Sequence, residues 1–135
     1  MHEYSVALRI SGTDVVPAQI TQALGLEPSI VRHVGERRSE TTVWTEALWG
    51  YTGFPSDAQS LWASLEDGLT FLLDRLEPVH SQIADYKQRY DIVFWCGHFQ
   101  SSFDGGPTLS ATLLRRLADF GVELYIDNYF SESDR

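Results

Sequence analysis

Residues 3–10 alternate, with Tyr4, Val6, Leu8 and Ile10 on one side and Glu3, Ser5, Ala7 and Arg9 on the other, the period-two pattern of a half-buried strand. Ser11 to Asp14 is turn-like. Pro17 suits the first turn of a helix, where its missing N–H is not needed. That helix carries Ile20, Ala23 and Leu24 on one side and stops at Gly25, with Leu26 and Pro28 beyond it. Residues 29–34 predict a short strand and residues 35–40 a polar, hairpin-like loop. Thr41 to Trp49, rich in β-branched and aromatic side chains, predicts a third strand. Gly50, Gly53 and Pro55 then mark a loop over residues 50–56. Ser56-Asp57-Ala58-Gln59 matches a capping box. Leu61, Leu65, Leu69, Leu72, Leu73 and Leu76 follow at helical spacing as one apolar stripe. Pro78 ends or bends this helix, and residues 79–88 predict another around Val79, Ile83 and Tyr86. Tyr90 to Phe99 reads as a strand and Gln100 to Pro107 as a Gly-rich loop. Leu109, Leu113, Leu114, Leu117 and Phe120 mark a helix capped at Gly121, and Val122 to Phe130 alternate as the last strand.

The order β-α-β-β-α-α-β-α-β predicts an α+β fold. Its core is the ferredoxin-like β-α-β-β-α-β arrangement, extended by a further helix and strand. Crossover helices must cover one face of the sheet, so a mixed, mostly antiparallel five-stranded sheet with helices on one side is expected. Tyr4, Val6, Leu8, Ile10, Ile92, Phe94, Cys96, Val122, Leu124 and Ile126 should meet those helices. By the same alternation the other face should carry Arg9, Val93, Trp95, Phe99, Tyr125 and Tyr129, with Trp44 if the third strand holds its assumed register. A solvated face seldom consists of Trp, Phe and Tyr, so a cover is expected: a partner subunit, another protein, a ligand or a loop of the same chain.

Composition narrows the function classes. The 135 residues, 43% hydrophobic and 21% charged, suit a single globular domain over 1–135, with 131–135 polar enough to fray. The single cysteine, Cys96, cannot form an internal disulfide. Met1-His2-Glu3-Tyr4 enters a strand pattern without a basic stretch or apolar region, so a cytoplasmic location is expected. No apolar run is long enough to span a membrane. A net charge of −9, from 19 acidic and 10 basic residues, repels phosphate backbones and argues against nucleic-acid binding.

Tyr4-x-Val6-x-Leu8-Arg9-Ile10, Asp14-x-x-Pro17, Ile20 and Leu24-Gly25-Leu26-x-Pro28-Ser29 resemble the start of the bacterial domain-of-unknown-function family 4279. The likeness continues through Gly35-Glu36, Leu72-Leu73-Asp74-x-Leu76-x-Pro78 and the unit from Leu109 to Tyr129. The resemblance implies a bacterial source and one domain. It carries no catalytic residue, because the family has no established activity. By analogy alone, an immunity-protein-like role belongs with it.

Three groups of residues carry candidate chemistry. Arg32, Arg37 and Arg38, with His33, form the basic cluster of an acidic chain; guanidinium forks there suit a carboxylate or phosphate. The plain alternative is a solvated loop paired with Glu36 and Glu40. His98 and Asp104, beside Gly105-Gly106-Pro107, could flank a pocket at the sheet edge. Cys96 and His98 share a strand face, but Ile92 and Phe94 share it too, so a buried thiol is expected in place of a metal ligand or nucleophile. No catalytic residue, metal site or cofactor is assigned. The aromatic face, with Arg9, Trp44, Trp95, Phe99, Tyr125 and Tyr129, is the main candidate for interaction. The reading is a non-catalytic protein-interaction module, with a homodimer or another protein as partner. A small-ligand protein or small enzyme, and a purely structural homodimer, stand as alternatives.

Overall fold

The computed structural model describes residues 1–55 and 60–131. The elements run β1 (His2–Gly12), α1 (Pro17–Leu24), β2 (Ile30–Arg32), β3 (Ala47–Tyr51), α2 (Leu65–Leu76), α3 (His80–Tyr86), β4 (Asp91–Gln100), α4 (Ala111–Phe120) and β5 (Glu123–Phe130). A 3-10 turn at Glu77–Val79, carrying Pro78, joins α2 to α3. The sheet order is β2-β3-β1-β4-β5. β1 is antiparallel to β3 and β4, and β2 to β3, while β5 runs parallel to β4. The first four strands thus have the ferredoxin-like order, and α4 with β5 adds a parallel strand at one edge.

The inner face of the sheet is apolar as its alternation predicts. Leu8, Ile10, Trp49, Phe94 and Cys96 are fully buried there, with Tyr4 and Val6 nearly so. Ile20 and Leu24 of α1, the leucine stripe of α2, Ile83 of α3, and Leu113, Leu117 and Phe120 of α4 join them in one cluster. Gly68 explains how closely α2 approaches. A Cβ at that position would lie 3.0 Å from the Trp62 ring and 3.2 Å from Val6 Cγ1. The loss of about 1 kcal/mol in helix propensity is the cost of that close contact. Gly25 (φ 69°) and Gly121 (φ 77°) close α1 and α4 in the left-handed conformation expected of them. Glu66 of α2 accepts hydrogen bonds from the N–H and hydroxyl of Ser110, the N-cap of α4, at 2.7 and 2.8 Å.

Several boundaries differ from the sequence pattern. The capping box at residues 56–59 lies outside the described residues. α2 starts at Leu65, with Ser64 as N-cap accepting from Asp67 N–H at 3.2 Å. Leu61 is exposed and outside the helix. Its neighbour Trp62 instead pairs with Tyr4 through two backbone hydrogen bonds of 2.8 and 2.7 Å. β3 runs from Ala47 through Gly50 to Tyr51, not from Thr41 to Trp49. Gly50 is a strand residue because only a missing Cβ makes room for Ile30, whose Cγ2 would sit 2.5 Å from it. In α1, Ala23 is exposed while Thr21 turns inward and accepts the Trp49 indole N–H at 3.0 Å. Leu114 of α4 likewise faces out. At the C-terminal end Ser131 N–H is held by Gln100 O at 2.9 Å; the rest of the stretch expected to fray lies outside the described residues.

Candidate functional site

The pairing registers put Arg9, Trp95, Phe99, Tyr125 and Tyr129 on the outer face, as alternation predicts. Tyr125, Tyr129 and Phe99 are 51%, 41% and 36% exposed. The Phe99 and Tyr129 rings stack at 5.0 Å. The Tyr129 hydroxyl donates to Asp127 Oδ2 at 2.5 Å, and that bond raises its pKa above the ordinary tyrosine value. Nearer the sheet centre the face is more closed: Ala7 and Leu48 are only 7% and 8% exposed.

Arg9 is the centre of this face. Its guanidinium carbon lies 4.2 Å from the centroid of Trp95, a stacking geometry that favours the cation. Its Nε is buried and has no hydrogen-bond partner among the described residues. Burial first, then the charge of Arg32, hold the Arg9 pKa below the usual arginine value, with Tyr129 and Asp127 partly opposing. A cavity of about 390 Å³ opens beside it, lined by Ser5, Ala7, Arg9, Ile30, Thr52 and Trp95 among others.

Trp44 is not on a strand. Its carbonyl accepts from Gly35 N–H and its N–H donates to Glu36 O, both at 2.8 Å, within the segment between β2 and β3. Those bonds hold it in the loop, since β3 begins only at Ala47. The loop nevertheless returns it to the arginines: Arg32 and Arg38 lie over its ring at 4.2 and 4.6 Å. Arg37 stands apart and donates to Ser39 O and Glu40 O. The loop is exposed, as the plain alternative has it, and His33 pairs with Glu36, while its arginines form no ion pair among the described residues. Glu36 accepts from the His33 N–H at 2.8 Å and lies 3.2 Å from His33 Nδ1; those contacts, the backbone one first, lower its pKa. Among the described residues the ion pairs belong to His33, His80 and Arg116, so Arg9, Arg32, Arg37 and Arg38 are all outside them.

His98 and Asp104 do come together, through a residue the sequence pattern passed over. His2 Nδ1 lies 2.8 Å from His98 Nε2, and His2 Nε2 contacts the Asp104 carbonyl. His98 Nδ1 lies 2.8 Å from Asn128 Oδ1. The contact uses the backbone of Asp104, not its carboxylate, and His98 is 4% exposed, stacked on Tyr4. These groups therefore satisfy one another instead of lining the expected opening. His2 precedes Tyr4 by two on the same strand, so extending the alternation by one step would have found it. Phe103, stacked on Phe130 at 4.2 Å, was also passed over. The Cys96 thiol is buried, and burial pushes its pKa up to about 12, the opposite of what a nucleophile needs. Among the described residues no group of three His, Cys, Asp or Glu side chains is placed to hold a metal ion. None of the described helices is long and apolar enough to cross a membrane.

These features define an α+β protein whose sheet is covered by helices on one face and carries an arginine-aromatic surface on the other. The chain belongs to the family described as Domain of unknown function (DUF4279), which matches residues 2–131. No curated protein and no solved structure matches it.

Proposed function

We propose that the chain is a non-catalytic interaction module that takes a partner protein on the outer face of its sheet. The observation that carries this reading is the exposure of Phe99, Tyr125 and Tyr129 on the face opposite the core. Tyrosines and a stacked Arg–Trp pair are the residue types that dominate interface energetics. Arg9, Arg32 and Arg38, which lie outside the ion pairs among the described residues, call for carboxylates on the partner. The immunity-protein analogy draws on the net charge of −9 and a basic partner; the arginines on this face favour an acidic one. A bacterial, cytoplasmic setting is part of the same proposal, supported by the family and by the unpaired, buried Cys96.

Solution mass by light scattering, for wild type and Trp95→Glu, tests the reading. The expected result is an associated wild type that Trp95→Glu splits. An association indifferent to Trp95→Glu would move the function off this face. The cavity beside Arg9 favours a second reading, an organic carboxylate held by its guanidinium. A rise in melting temperature with an organic acid but not with its amide supports that reading; no difference between the two removes it.

A further inference from the structure

Outer-face residues form rows across β1, β4 and β5. Arg9 pairs with Val93 and Val93 with Glu123; Ala7 with Trp95 and Trp95 with Tyr125. Ser5 pairs with Gly97 and Gly97 with Asp127; Glu3 with Phe99 and Phe99 with Tyr129. β4 is therefore flanked, row by row, by residues of opposite kind. An arginine faces a glutamate across it, an alanine a tyrosine, a hydroxyl a carboxylate, and a carboxylate a phenol. The members of each pair are two strand spacings apart, about 10 Å, so most of them do not meet within one chain.

A two-fold axis running along β4 in the plane of contact turns every row onto itself with its ends exchanged. Arg9 of one copy then meets Glu123 of the other, and the small Ala7 leaves room for the large Tyr125. Ser5 meets Asp127. Val93, Trp95 and Phe99 meet their own equivalents as an apolar centre. A tilt of β4 by about 15° from the axis gives the roughly 30° at which sheets pack face to face.

We infer that the outer face binds a second copy of this chain about that axis. The inference rests on the outer face being the interaction surface. Two polar side chains support it. The half-buried Arg9 guanidinium is in no ion pair among the described residues, and the Glu123 carboxylate of the second copy supplies one. The Ser5 hydroxyl already accepts from Gly97 N–H, which leaves its proton for Asp127 Oδ1; Oδ2 is taken by Tyr129. Three strands over eight residues project to roughly 15 by 27 Å. That is the modest size of weak interfaces, so micromolar self-association is expected.

Sedimentation velocity from micromolar to millimolar protein, on wild type, Glu123→Arg, Arg9→Glu and the doubly substituted chain, decides the matter. Wild type should dimerise. Glu123→Arg, at an exposed position, should weaken the dimer about ten-fold or more, and the double exchange should restore most of it, because opposite charges face each other again. Should Arg9→Glu fail to fold, Tyr125→Arg serves as the second variant, expected to abolish dimerisation by placing a charge on the Ala7 floor. A monomeric wild type overturns the inference and leaves the face for a different protein. A dimer split by Trp95→Glu but indifferent to Glu123→Arg overturns this axis while the interaction reading stands.

Discussion

Phe94 and Trp95 are neighbours on β4 and belong to different worlds. Phe94 is fully buried, its ring tilted 57° against that of Phe120 of α4 with the centroids 5.8 Å apart. Trp95 faces the other way, only partly buried, with the Arg9 guanidinium laid across it. Every inner-face neighbour of Phe94 is apolar and finds its partners within the chain. On the outer face, charge and aromatic surface sit side by side, and the buried Arg9 Nε finds no partner among the described residues. Stability and recognition are thus divided between the two sides of one strand, and a substitution acts on one or the other according to its parity.

The largest expected effect breaks the inner side. Phe94→Ala should lower the unfolding free energy by about 3–5 kcal/mol in urea melts, through lost burial and the cavity left behind. Trp95→Ala, one residue on, should lose less, because part of its surface is already exposed in the folded chain. A similar loss at both positions would erase the distinction. Gly50→Ala comes next, at about 1–3 kcal/mol, because the new methyl meets Ile30 Cγ2 at 2.5 Å. In an Ile30→Ala background the same change should cost little.

The third concerns pH. Burial raises the Cys96 thiol from an ordinary value of 9.0 to about 12. The folded thiol therefore stays neutral while the unfolded one ionises, so its contribution is complete below pH 9 and is lost as the pH climbs from 9 toward 12. At pH 10 the loss amounts to about 1.4 kcal/mol. Urea melts at pH 8 and 10 should show this alkaline loss in wild type and not in Cys96→Ala. The smallest effect sharpens the outer side: Tyr125→Ser should leave the monomer's stability within about 0.5 kcal/mol while weakening self-association.

The two faces also differ in how far the sequence exposes them. Alternation in residues 3–10 and 90–99 separates inner from outer residues, because side-chain direction in a strand is a purely local property. Caps at Gly25 and Gly121 are legible for the same reason. The start of α2 was not, since Ser56 and Ser64 both precede leucines at helical spacing and only the pairing of Trp62 with Tyr4 selects the second. β propensity places Trp44 on a strand, yet backbone bonds to Gly35 and Glu36 hold it in the loop. His2 and His98 lie 96 residues apart, and no periodicity reports a contact at that separation. The face as a list of residues was legible; the stacking of Arg9 on Trp95, and of Arg32 and Arg38 on Trp44, depends on strand order and was not.

The central place of β1 in the sheet has a consequence for how the chain is made. Of the five strands β1 leaves the ribosome first, while β4, its longest partner, begins about 80 residues after β1 ends. At synthesis rates of about 5–20 residues per second that interval lasts roughly 4 to 16 s. Throughout it, β1 has at most β3 and Trp62 paired with it, and the edge that β4 will take stands open. Nascent chains are therefore most prone to mispairing before residue 100 emerges, and anything that shields β1 in that window protects the fold.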